Sequence, residues 1–244
     1  MTLNSRKHYI DSDEPQGTKG HSLKKANDFV LSIRDEIAPL LEECIIYESK
    51  KRLGKAPSVE LPNGKLAIAP DIRCVTKAGN VFWFEIKDKA QRFYYPDTGA
   101  DIFQVYGWYK INKEFQEPVF VLFQDPDFES CLPKNPPYAK LESFKARWER
   151  SEGKPYGNWL SNLLVLKKKY PRVFSERSRN LEMYIMYFLV EKMEKVTSYQ
   201  DLIYEVDNKK ISNVHDELEA YLHPGNTLLK ESDIRFLIKR LFNR

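Results

Sequence analysis

The chain has 244 residues, of which 42% are hydrophobic and 30% charged, with a formal net charge of +4 and a pI near 8.7. That length allows one large domain or a domain with a sizeable appendage. The balance is that of a soluble globular protein, and the mild basicity permits a nucleic-acid partner without requiring one. The three cysteines (Cys44, Cys74 and Cys131) lack the paired spacing of a zinc ribbon or iron–sulfur cluster, and a dispersed set fits a reducing compartment where thiols stay free.

Residues 1–21 are polar and read as a loose N-terminal arm. Met1–Lys25 lacks the apolar stretch of a signal peptide. From Ser22 to Arg52 the apolar positions Phe29, Val30, Ile33, Ile37, Leu40, Leu41, Cys44 and Ile45 recur at helical spacing, which predicts a helix that Pro39 kinks or splits. Gly54 and Pro57 end it. Ser58–Leu61 reads as a strand and Pro62-Asn63-Gly64 as a turn. Leu66–Thr76 and Val81–Lys87 read as two strands joined at Lys77-Ala78-Gly79, where Gly79 is free to adopt a left-handed conformation. Asp97 or Thr98 is a candidate cap for an amphipathic helix over Ala100–Phe115. Pro118–Gln124 is a continuous apolar run, as expected of a strand covered on both faces.

Asp125–Tyr138 holds four prolines and reads as an ordered excursion or hinge. Beyond it the pattern predicts helices over about 157–169, 178–195, 198–206, 213–222 and 231–243. The longest apolar run, Met183–Val190, is too short to cross a bilayer and reads as a buried helix or part of a dimer contact. A cytoplasmic protein without membrane contact is expected. The chain thus divides into an arm (1–21), an α/β core (22–127) and a mostly helical C-terminal region (128–244) that would bind substrate or make a dimer.

The chemistry concentrates at Asp71, Glu85 and Lys87. With the hairpin loop at residues 77–79, Thr76 faces Asn80 and Asp71 falls opposite Glu85. Opposed residues of an antiparallel pair share a face, with Cβ atoms about 5 Å apart. Lys87 shares the face of Glu85 because the side-chain period of a strand is two. Two neighbouring carboxylates repel unless one takes a proton or both share a cation. Mg²⁺ is a hard cation suited to oxygen ligands, and Mn²⁺ is expected to substitute. Such an ion polarises a phosphate and activates water, and an ammonium beside it orients the water or offsets charge on phosphate oxygens.

Pro70-Asp71, thirteen intervening residues, and Glu85-Ile86-Lys87 resemble the PD-(D/E)xK nuclease family, which includes restriction endonucleases, junction resolvases, phage exonucleases and repair nucleases. The resemblance covers about residues 25–125 and implies an α-β-β-β-α-β core of restriction-endonuclease type, with a central mixed sheet flanked by helices. It also implies that Asp71, Glu85 and the carbonyl of Ile86 hold the metal and that Lys87 acts in catalysis.

The family often adds an acid from its first helix. Glu36, Glu42 and Glu43 lie on the predicted N-terminal helix, and Glu43 neighbours its apolar face. Gln104 on the next helix would touch a phosphate or the metal's water, or would face solvent. Some family branches carry Gln-x-x-x-Tyr there, whereas this chain has Trp108 at the fourth place and Tyr109 one later. Lys89, Gln91 and Arg92 follow the catalytic strand and are candidate backbone contacts to nucleic acid.

Residues 142–180 hold ten Lys or Arg and four Glu, a net +6 beside Trp148, Tyr156, Trp159 and Tyr170. Lys167, Lys168, Lys169 and Arg172 are the densest part. The segment reads equally as a phosphate-binding surface and as a solvated helical face.

His8, His21, His215 and His223 show no metal-ligand spacing. No GxxxxGK loop is present, so no nucleotide cofactor is expected. The expected activity is Mg²⁺-dependent hydrolysis of DNA, with a homodimer as an open alternative to a monomer. The alternative from another class is a non-catalytic nucleic-acid-binding or assembly module on the same fold.

Overall fold

The computed structural model describes residues 18–48, 52–53, 56–89, 91, 93, 97–125, 128, 132–133, 135–151, 154–165, 173–174, 184–212 and 214. Helix α1 (Thr18–Ile37) leads through a 3₁₀ turn (Ala38–Leu40) into strand β1 (Glu43–Ile46). Short strands β2 (Arg52–Leu53), β3 (Ala56–Glu60) and β4 (Leu66–Ile68) follow, then the hairpin strands β5 (Ile72–Val75) and β6 (Val81–Asp88). Strand β7 (Asp97–Asp101) runs into helix α2 (Ile102–Phe115), and β8 (Val119–Gln124) comes next. The remainder comprises α3 (Tyr138–Ser151), β9 (Tyr156–Trp159), α4 (Leu160–Val165), β10 (Val173–Phe174), β11 (Tyr184–Leu189), β12 (Glu194–Lys195) and α5 (Tyr199–Asp207).

The protein is an α/β fold around a six-stranded mixed sheet of order β1-β5-β6-β8-β9-β12. Neighbours are antiparallel except β6 and β8, which run parallel. A parallel pair needs a crossover, and α2 lies within the connection that supplies it. Two three-stranded sheets, β2-β3-β4 and β10-β11-β7, flank the central one. Among the described residues no helix is long and apolar enough to cross a membrane.

Two apolar layers cover the sheet. On one face Ile72, Cys74, Phe82, Phe84, Ile86, Phe120 and Leu122 meet Val30, Ile33 and Ile37 of α1. On the other, Trp83, Val119, Val121 and Phe123 meet Val105, Trp108, Tyr109 and Ile111 of α2. Val119–Phe123 are all buried, the outcome expected of the continuous apolar run. The expected turn is also observed: Gly79 has φ +83° and its N–H donates to the Thr76 carbonyl at 2.8 Å. The far end of that hairpin is fastened to α5, where Asp207 accepts from Thr76 Oγ1 at 2.6 Å and from Asn80 Nδ2 at 2.8 Å.

Several expectations are corrected. The N-terminal helix ends at Ile37 rather than near Arg52: Pro39 has no N–H to continue the α ladder, the chain tightens into the 3₁₀ turn, and Leu41 is already extended (φ −113°, ψ 165°). Glu43-Cys44-Ile45-Ile46 then joins the sheet as an outer strand, which its β-branched residues favour. Leu66–Thr76 is two strands in different sheets, broken at Ala69-Pro70-Asp71. The cap of α2 is Asp101, whose Oδ1 accepts from the Phe103 N–H at 2.8 Å, and Asp97 and Thr98 belong to β7.

Among the described residues beyond 127, helices α3, α4 and α5 are interspersed with strands β9–β12, and the central sheet recruits β9 and β12 from beyond residue 127. Tyr156, Trp159, Leu160, Leu163 and Leu164 have helical spacing, yet Tyr156 and Trp159 sit on opposite faces of the sheet, as three residues apart on a strand must. Residues 184–189 form a strand on β7 instead of a buried helix, since a short apolar run does not distinguish the two. Helix α3 occupies ground for which no helix was expected. The helices expected at 213–222 and 231–243 lie outside the described residues apart from Val214.

Gly107, in the middle of α2, is where β4 crosses the helix. A Cβ there would stand 2.6 Å from the Ile68 carbonyl oxygen and 2.7 Å from its nitrogen. Gly→Ala inside a helix ordinarily gains about 1 kcal/mol. Here overpacking against backbone, about 1–3 kcal/mol, opposes that gain, so Gly107→Ala is expected to destabilise by up to about 2 kcal/mol in urea denaturation. A gain in stability would show that β4 does not pack on α2 in this way.

Candidate active site

The β5/β6 register pairs Ile72 with Phe84, Arg73 with Trp83, Cys74 with Phe82 and Val75 with Val81. Continued by two residues, it sets Asp71 opposite Glu85 and then Pro70 opposite Ile86. At that point the ladder changes character. Thr76 and Asn80 form a hydrogen-bonded pair (2.8 Å), so by two-residue alternation the backbone groups of Ile86 also face β5. Pro70 has no N–H to give the Ile86 carbonyl. The Asp71 side chain turns into the ladder instead, and its Oδ2 accepts from the Ile86 N–H at 2.9 Å. On its other side Asp71 is held by the residue after β1, with the Tyr47 N–H donating to the Asp71 carbonyl at 2.8 Å. Asp71 is 0% exposed and Glu85 2%.

Glu85 sits in the middle of β6, between β5 and β8. Burial, and next the charge of Asp71, push its carboxyl up to about 7, while Lys87 pulls the other way. Lys87 Nζ pairs with Glu85 Oε1 and donates to Gln104 Oε1 at 2.9 Å. It also lies 5.3 Å from the centroid of the buried Trp108 ring, a cation–π arrangement. Gln104 and Trp108 are one helical turn apart on α2, so this helix lays one face against the Lys87 side chain.

Asp71, Glu85, Lys87 and Gln104 are therefore brought to one place, with the Ile86 carbonyl turned toward them. Among the described residues no group of three or more His, Cys, Asp or Glu is placed to hold a metal ion. The donor set is two carboxylates and one backbone carbonyl, all hard oxygens, which fits Mg²⁺ or Mn²⁺.

The other predicted residues fall elsewhere. Glu43 is on β1, not on a helix. It stands four register positions, roughly 13 Å, from the Tyr47–Asp71 pairing, and its Oε2 lies 3.5 Å from Arg73 Nη1. Glu42 is also past the helix end, and the exposed Glu36 is on α1, which covers the opposite face of the sheet. Lys89 is exposed at the end of β6. Arg92, Lys167, Lys168, Lys169 and Arg172 lie outside the described residues.

Within the basic segment, Arg147 is buried and committed. It donates to Gln91 Oε1 (3.3 Å) and to the Phe93 carbonyl (2.9 Å). Gln91 in turn holds Asp125, which also accepts from Tyr156 Oη at 2.8 Å. Tyr156 and Trp159 are 3% and 4% exposed, so they are core residues rather than surfaces for stacking bases.

Asp101 was not anticipated. Burial raises its carboxyl, and Lys87 and Lys89 oppose that rise, which places it in the electrostatic surroundings of the same lysine. The signal available in the sequence was an Asp directly before the apolar run of α2, an N-cap pattern. Comparison with protein-family models, curated proteins and solved structures finds no match.

The elevated Glu85 carboxyl sets a pH dependence. The unfolded chain releases this proton near 4.5 and the folded one near 7. Between those values the folded state binds more protons, so stability falls as pH rises. In EDTA, stability is expected to fall from pH 5 to pH 8 by on the order of 3 kcal/mol at most, read as a lower thermal midpoint at pH 8. Glu85→Gln should flatten that drop, and Mg²⁺ should offset it above pH 7 in the parent. Identical pH profiles for parent and variant would remove Glu85 from this role.

Proposed function

We propose that the chain is a divalent-metal-dependent deoxyribonuclease on a restriction-endonuclease-like core, hydrolysing DNA phosphodiester bonds at Asp71, Glu85 and Lys87. The observation that carries this reading is the interrupted ladder at Pro70-Asp71. It buries a carboxylate beside Glu85 and leaves the Ile86 carbonyl without an in-register N–H. A fold gains nothing from burying two adjacent carboxylates for stability alone, since desolvation and mutual repulsion both oppose it. The fold reading is supported by the order α1, β1, β5, β6, α2, β8, in which three antiparallel neighbours are followed by a helix and a strand parallel to the third.

Asp71, Glu85 and the Ile86 carbonyl would hold Mg²⁺ or Mn²⁺. The bound ion supplies charge neutralisation at the scissile phosphate and acidification of water. Lys87 is held by Gln104 and Trp108 while it faces Glu85, so its ammonium is positioned before substrate arrives. There it orients the attacking water and offsets the charge that develops on the phosphate oxygens. Attack adds the water oxygen to phosphorus and breaks a P–O bond, and the departing oxygen takes up a proton. Gln104 acts on Lys87 as a positioning residue. A homodimer would present two such centres to a duplex, whereas a monomer would nick or trim one strand.

The competing reading is a binding module without catalysis. The Lys87–Glu85 ion pair favours it, because it neutralises Glu85 internally without a cation. Incubation with plasmid and linear DNA in Mg²⁺ or Mn²⁺, against an EDTA control, separates the two. Asp71→Ala and Lys87→Ala are each expected to lower cleavage by on the order of 10²-fold or more, with DNA binding in Ca²⁺ retained. A parent protein that binds DNA and never cuts it would favour the binding module. Variants that cut like the parent would remove the site assignment.

A further inference from the structure

Cys44 and Cys74 are 30 residues apart in sequence, and the fold sets them directly opposite each other on β1 and β5. Flanking β5, Asp71 accepts through its carbonyl from the N–H of Tyr47, the residue after β1, and Thr76 donates its N–H to the Asn80 carbonyl on the β6 side. The two-residue alternation therefore turns the backbone groups of Cys74 toward β6. Cys44 and Cys74 form a non-hydrogen-bonded pair, the type whose Cα atoms come closest, about 4.5 Å. A disulfide spans Cα separations of that size.

The sulfurs are already in contact, with the Cys74 thiol donating to Cys44 Sγ at 4.0 Å. Both thiols are free, but their surroundings differ. Cys74 is 0% exposed, while Cys44 is half-buried on the outer strand. The Cys74 S–H and, less strongly, Arg34 lower the Cys44 thiol below its ordinary value, whereas burial raises that of Cys74. One sulfur thus has the access and thiolate character of an attacking group, and its neighbour is screened from solvent and within reach.

We infer that Cys44 and Cys74 form a redox-active dithiol, with Cys44 the sulfur that reacts with a hydroperoxide and Cys74 the one that resolves it. The Cys44 thiolate attacks the O–O bond of hydrogen peroxide. Cys44 becomes a sulfenic acid, and the second oxygen leaves as hydroxide and is protonated to water. The Cys74 sulfur then attacks the Cys44 sulfur, the S–OH bond breaks, and the Cys74 proton leaves with that hydroxyl as a second water. The product is a disulfide joining β1 to β5, the strand that begins one residue after Asp71.

The test is covalent and does not depend on any DNA cleavage. The full chain is reduced, freed of reductant, and exposed to hydrogen peroxide under native conditions. Remaining thiols are then alkylated in denaturant and the peptides mapped by mass spectrometry. The expected product is one peptide pair joined through Cys44 and Cys74, with Cys131 alkylated, and with both cysteines alkylatable again after dithiothreitol. In Cys74→Ser, a sulfenic acid trappable by dimedone is expected at Cys44. In Cys44→Ser, Cys74 should stay unoxidised. Thermal denaturation checks that each variant folds, and the parent protein alone decides the matter if one does not. Full alkylation of both residues in the peroxide-treated parent, or pairing of Cys44 with Cys131, would overturn the inference.

Discussion

The arrangement of this protein depends on one exchange at the mouth of the β5/β6 hairpin, where a side-chain carboxylate takes the place of a backbone acceptor. Pro70 ends the regular ladder because it has no proton to donate. Asp71 follows it and receives the Ile86 N–H on Oδ2 at 2.9 Å. The same step separates β4 from β5, sends the preceding chain into another sheet, and sets a buried acid beside Glu85. Asp71 is pinned from β6 through its side chain and from Tyr47, just past β1, through its carbonyl.

That geometry carries an electrostatic debt. Glu85 is buried and faces a second acid, and its carboxyl is accordingly pushed up to about 7. Lys87 is the internal answer. It is two residues along the same strand and therefore on the same face, and it is steadied by Gln104 and by the Trp108 ring. A divalent cation would answer the same conflict from outside. The proposed chemistry rests on the coexistence of these two solutions at one place, since an ammonium already paired to a carboxylate is also placed to meet a phosphate.

The scaffold around the pair is built for fixed position. Strand β6 is interior to the sheet, with β5 on one side and β8 on the other; at Glu85 and Lys87 its regular ladder is the parallel one with β8, and on the β5 side the Asp71 carboxylate takes the Ile86 N–H. Helix α2 approaches closely because Gly107 offers no Cβ to the β4 backbone. Past β6, the buried cluster of Gln91, Asp125, Tyr156 and Arg147 ties the departing chain to β8, β9 and α3. That cluster uses one basic residue of the 142–180 segment, Arg147, for cohesion rather than for surface charge.

Local features settled a good part of this protein in advance. The turn at 77–79, the alternation of Glu85 and Lys87, the buried run of β8 and the approach of Asp71 to Glu85 all follow from chain chemistry within a dozen or so residues, because Gly79 permits the turn and a hairpin register propagates from it. Gln104 could be placed on a helix but not against Lys87, since that contact joins separate elements. Other features depended on partners distant in sequence. Glu43 left its predicted helix because β5 offered an edge to pair with, and Tyr156 and Trp159, at helical spacing, were divided between two faces by strands β8 and β12. Cys44 and Cys74 read as scattered thiols until the β1/β5 register set them opposite each other. Sequence by itself determined what short-range turns and periodicities can enforce. Only the tertiary structure decided which strands would pair, because pairing energy belongs to neither strand alone.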